Sequence, residues 1–98
     1  MARTPIHPGE ILADELEELD MSALALAKAL HVPHNRISQI LAGKRGITAD
    51  TALRLSRFFG TTPGFWLNLQ KSYELRLAEQ ESGKEIRQTV TPLSVAIE

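Results

Sequence analysis

The chain has 98 residues, no cysteine and a formal net charge of −1, which fits one small domain and excludes a disulfide scaffold or a thiolate-metal centre. No apolar run is long enough to span a bilayer, and the opening MARTPIHPGE lacks the apolar core of a signal peptide, so a cytoplasmic location and no membrane partner are expected. The overall balance excludes a uniformly basic nucleic-acid coat but hides a segregation: residues 1–20 carry −5, residues 21–57 carry +5, and the remainder carries −1.

The first predicted helix opens at Pro8, a residue suited to a first helical turn, with Glu10 close behind to complement the helix dipole. Ile11, Leu12, Leu16 and Leu19 form its apolar stripe, and the carboxylates take the other faces. Those acids have no convergent partner, so they read as a solvated face that a protein partner can use, not as a metal or acid–base site. Ser22 suits the N-cap of a short, alanine-rich second helix from Ala23 to Leu30. At His31 the chain needs a left-handed residue, commonly glycine; histidine is among the few other side chains enriched there, at a cost of about 1 kcal/mol. Pro33 fixes φ for entry into a third helix, about Pro33 to Ala42, but offers no side-chain acceptor.

Gly43 is the expected left-handed stop, followed by a basic loop at Lys44, Arg45 and Gly46. Thr48 caps a fourth helix with Asp50 in its first turn, Ala52, Leu53, Leu55, Phe58 and Phe59 as apolar positions, and Gly60 at its end. Thr62-Pro63 opens a fifth. On it Phe65, Leu69, Tyr73 and Leu77 form an inward stripe, while Leu67 and Leu75 lie on another side with Trp66 adjacent to the stripe. Beyond Leu77 the sequence turns polar. Val90, Val95 and Ile97 then alternate with small or polar residues around Pro92, which reads as an extended or edge segment, disordered or paired with a partner by strand addition. Trp66, Leu67, Leu75, Val95 and Ile97 are the expected dimer or partner surface. The expected organisation is all-α, five helices, with a domain at residues 7–80 and an extended or strand-like tail at residues 81–98.

The second and third helices make a helix-turn-helix. Leu26, Ala27 and Leu30 recur at helical spacing before the break, and Ile37, Ile40 and Leu41 resume it after. With those side chains turned inward, His34, Asn35, Arg36, Ser38 and Gln39 face solvent, and in such a motif the N-terminal side chains of the second helix contact base edges. Arg36 suits guanine O6 and N7, and Asn35 or Gln39 suits adenine. Lys44 and Arg45 suit phosphate, as does Ser22 with the amides that open the second helix. The basic charge coincides with this segment, so double-stranded DNA is the expected partner. Catalysis is not expected. His31 and His34 lack a third ligand nearby, and His34 and Ser38 share a face without an acid to orient the histidine, so neither metal nor cofactor is implied.

HPGEIL at His7 to Leu12, the helix-turn-helix frame, GKRGIT at Gly43 to Thr48, ALRLSRFFGTTPGFWLNLQ at Ala52 to Gln70 and Tyr73-Glu74-Leu75 together resemble HigA-type antitoxins. These are small repressor-like proteins of the Cro/phage-repressor (XRE) helix-turn-helix superfamily. The resemblance covers about His7 to Leu77 and departs from the common pattern at His31 and Pro33. It implies a five-helix, usually dimeric protein that binds an operator in its own operon and neutralises a HigB-type toxin, a ribosome-dependent mRNA endonuclease. A stand-alone transcriptional regulator of the same fold, without a toxin, is the alternative, and an adaptor that has lost DNA binding is a third.

Overall fold

The computed structural model describes residues 4–93, and within them five helices and no strand: α1 (Pro8–Leu19), α2 (Ala23–Leu30), α3 (His34–Leu41), α4 (Ala49–Phe59) and α5 (Pro63–Thr89). Side chains set most of the starts. Ser22, Thr48 and Thr62 accept hydrogen bonds from the amides of Ala25, Thr51 and Phe65, satisfying donors that a first helical turn leaves without intrahelical partners. At α1 the cap is one the sequence reading did not include. His7 Nδ1 accepts from the Gly9 amide at 2.8 Å, and the Glu10 carboxylate reaches back to the His7 amide. This is a capping box with histidine where a hydroxyl is usual. α3 follows Pro33 with no side-chain cap, because the pyrrolidine ring carries no acceptor. At the turn before it, His31 adopts the expected left-handed conformation, with φ 59° and ψ 48°.

The core is one cluster. Leu12 and Leu16 of α1, Leu26, Ala27 and Leu30 of α2, Ile37 and Ile40 of α3, Ile47 of the loop before α4, Ala52 and Leu55 of α4 and Trp66 of α5 are all buried in it. α1 lies so close to α3 that a Cβ at Gly9 would fall on the Ile40 carbonyl oxygen, so only glycine fits there.

Trp66 corrects an expectation. Placed by the sequence at a dimer or partner surface, it is instead 1% exposed, with its indole N–H donating to Thr61 Oγ1 at 2.9 Å and its ring against Phe59. Phe65, expected to point inward, is 43% exposed and meets Trp66 edge-on. The two errors have one cause: α5 is rotated so that Trp66 and Gln70 face the core, with Leu69 and Tyr73 half-buried beside them. Leu67 is also half-buried against the core, while Leu75 is 70% exposed. Val95 and Ile97 lie outside the described residues.

α5 has 27 residues, a length of about 40 Å at 1.5 Å per residue, in a molecule of 54 × 23 × 22 Å. Its second half, beyond Leu77, projects from the core. The expected boundary between residues 80 and 81 therefore falls inside a helix, and residues 81–89, expected as extended tail, are helical; extended backbone begins at Val90. Ala78 to Thr89 is rich in Glu, Gln, Lys and Arg, all good helix formers. Polarity there marks a solvated helix, not its end. Arg87 pairs with Glu79 across Gly83 on this segment. Among the described residues no helix is long and apolar enough to cross a membrane.

Candidate nucleic-acid interface

Ile37 and Ile40 are fully buried, which fixes what α3 shows to solvent. His34 and Asn35 are exposed, and Arg36, Ser38 and Gln39 are half-exposed on the same short helix. Lys44 and Arg45 are exposed in the loop that follows, and Ser22 is exposed at the start of α2. Ser22 Oγ accepts from the Ala25 amide at 3.0 Å, which leaves the hydroxyl proton free to donate to an anion.

Arg36 is held in place. Its Nη1 donates to Asp50 Oδ2 at 2.7 Å, and the same oxygen accepts from Arg54 Nε at 2.9 Å. Arg54 in turn donates through Nη1 to the Leu30 carbonyl at 2.8 Å and the His31 carbonyl at 3.4 Å. One run of charge-assisted bonds thus links the end of α2, its left-handed turn, the start of α4 and the first turn of α3. Hydrogen bonds from Arg54 and then Arg36 hold the Asp50 carboxyl below its ordinary range. These groups are substantially exposed, so their contribution to stability is small. Their contribution to orientation is not.

The basic loop is tied at both ends. Arg45 Nε donates to Gln39 Oε1 at 2.9 Å, joining the loop to α3. Gln70, 7% exposed, accepts from the Ile47 amide at 2.7 Å and donates to Glu74 at 2.9 Å. A Cβ at Gly46 would run into the Gln70 amide, so a larger residue there would push that amide off the Ile47 N–H that it accepts from. Bonds from Gln70 and then Lys71 lower the Glu74 pKa, and the Glu74 carboxylate is the acceptor that orients Gln70.

The structure therefore places His34, Asn35, Arg36, Ser38 and Gln39 on α3 and Lys44 and Arg45 on the loop after it, with Ser22 apart at the start of α2. It adds Asp50, Arg54 and Gln70, which the sequence reading left out of the site. Asp50 carried a signal, being the single acid among residues 21–57. Gln70 carried none, because its partner is a backbone amide 23 residues away. His31 and His34 gain no third ligand: among the described residues no group of three or more His, Cys, Asp and Glu is placed to hold a metal.

A helix-turn-helix family model matches residues 12–66, more than half of the chain. The solved structure of an addiction module antidote protein of a HigA family from Coxiella burnetii superposes with a TM-score of 0.91 at 63% identity, covering 92% of this chain and 99% of that one. The chain belongs to the HigA-type antitoxins of the XRE helix-turn-helix superfamily. Virulence-associated protein I of Dichelobacter nodosus is 54% identical to this HigA-type chain over 90 residues, 91% of this chain and 82% of that protein. The Pseudomonas aeruginosa antitoxin HigA, solved with the higBA promoter, has a TM-score of 0.88 at 50% identity, covering 91% of this chain and 98% of that one.

Proposed function

We propose that this HigA-type chain represses its own operon by placing α3 in the major groove of an operator, and that it neutralises a HigB-type mRNA endonuclease toxin encoded beside it. The observation that carries the DNA half is the row of hydrogen-bonding side chains from His34 to Gln39, presented on a helix whose apolar side is fully used by the core. In this reading His34, Asn35, Arg36, Ser38 and Gln39 address base edges. Lys44, Arg45 and Ser22 hold phosphates and so set register without reading sequence. The Pseudomonas relative solved with promoter DNA supports the assignment. As a homodimer the protein presents two α3 helices to half-sites about 34 Å apart, or a multiple of that spacing. Leu75 near the end of the packed half of α5, Ile86 on its projecting half and Val90 just beyond it are exposed apolar surface available for a second copy.

The toxin half rests on family membership and on charge. An enzyme that grips RNA carries positive surface, and α1 exposes Asp14, Glu15, Glu17 and Glu18 on its outer side. Two measurements test the proposal. Fluorescence anisotropy with the chain's own promoter is expected to show binding that weakens steeply with salt and resists excess scrambled duplex; equal affinity for both duplexes would remove the DNA half. Co-expression with the neighbouring reading frame is expected to yield a complex and to restore growth. A neighbouring product that is harmless, or that stays lethal and does not co-purify, reduces the protein to a stand-alone regulator.

A further inference from the structure

Asp50 is a negative charge on the surface that would meet phosphates. It is the single acid among residues 21–57, and its side chain is 54% exposed in the first turn of α4. For DNA affinity alone this charge is unfavourable, because it repels the backbone of every sequence alike. Its contacts give it another role. Among the described residues Arg36 is bonded through Nη1, to Asp50, which leaves the Nε and Nη2 edge as two parallel donors matching guanine O6 and N7. Asp50 is itself fixed by Arg54, and Arg54 by the Leu30 and His31 carbonyls. The guanidinium of Arg36 is therefore referenced to the turn that sets α3 through a run of hydrogen bonds instead of swinging on a free three-methylene arm. Released from Asp50, the same arginine becomes a mobile cation that can pair with any nearby phosphate.

We propose that Asp50 is the specificity-setting residue of the operator interface: it holds Arg36 with one edge toward the bases and lowers the affinity of the same surface for DNA of any sequence. Its repulsion is felt on every duplex, while the oriented arginine gains only at a matching base pair, so the difference between operator and other DNA widens. The inference rests on α3 being the recognition helix. Asp50 positions Arg36 and touches no base.

The test uses the full chain, its own promoter duplex, a scrambled duplex and a set of promoter duplexes each changed at one base pair. Anisotropy titrations compare the parent with Asp50→Asn, Arg36→Ala and the double variant. Asp50→Asn is expected to bind the scrambled duplex more tightly at low salt and to cut the operator-to-scrambled affinity ratio by about tenfold. The lost preference should fall at the base pair where Arg36→Ala loses it, and Asp50→Asn should change nothing further there in the Arg36→Ala background. A ratio that is unchanged or raised in Asp50→Asn, a uniform weakening on all duplexes, or a preference lost at another base pair overturns the proposal. If the parent itself fails to discriminate, the assignment of α3 falls and this inference with it. If the parent discriminates and Arg36→Ala relaxes one position while Asp50→Asn is silent, only the role of Asp50 falls. A fold merely weakened by Asp50→Asn cannot erase preference at one base pair and leave its neighbours intact.

Discussion

From Pro63 to Leu77, α5 closes the core with Trp66 and anchors the basic loop through Gln70. From Ala78 to Thr89 the same helix runs through solvent, with Ile86 half-exposed and Arg87 folded back on Glu79. The backbone is continuous, and packing holds the first half in the helix while the Glu, Gln, Lys and Arg of the second sustain it in water. Which half supports the fold is decided by a few side chains: one indole, one buried amide and the tyrosine ring that meets His7 at 4.8 Å. The projecting half is then free for intermolecular use because the domain does not depend on it.

That contrast can be broken or sharpened by measurement. Trp66→Ala in the packed half is expected to cost about 3–5 kcal/mol in urea unfolding, a large share of the 5–15 kcal/mol typical of a domain. Gln70→Ala leaves the Ile47 amide without its acceptor and is expected to cost about 1–3 kcal/mol, with faster amide exchange across residues 44–47. A smaller effect comes from His7, whose ring the packed half covers. Burial holds its pKa below the ordinary 6.5, against an opposing pull from Glu10, so the unfolded chain takes up the proton first. The stability this contributes is present above about pH 6.5 and is lost as pH falls through the lower native value. Thermal unfolding from pH 7 to pH 5 should show a falling Tm, and His7→Asn, which keeps a neutral cap, should flatten it. The smallest change is expected from Ile86→Glu in the projecting half, within about 0.5 kcal/mol for the monomer. A larger loss there would mean that this half packs on the domain.

The parts of the molecule legible in the sequence are those made by near neighbours. Ser22, Thr48 and Thr62 cap helices because a hydroxyl reaches an amide three residues on, and the left-handed turn at His31 follows from the break it must make. The polar row on α3 follows from the period of Ile37 and Ile40. What escaped depends on distance or on rotation. The pairing of Arg36 with Asp50 spans 14 residues, and nothing local distinguishes it from two solvated charges. Trp66 was misplaced because Phe65 and Trp66 sit side by side, and a turn of α5 by one residue exchanges which ring is buried. The end of α5 was misplaced because a polar stretch looks like a terminus when burial is the guide, although Glu, Gln, Lys and Arg sustain a helix in water. The HPGE start hid the His7 cap in plain spacing, with Glu10 three residues beyond it.

Gly9 lets α1 rest on the Ile40 carbonyl, main chain against main chain. The tilt of α3 is therefore referenced to a backbone contact that none of its outward side chains takes part in. In the proposed reading of α3 as the recognition helix, His34, Asn35 and their neighbours can be exchanged for other polar residues while the helix keeps its seat, so a lineage can drift to a new operator one base pair at a time without rebuilding the platform beneath it.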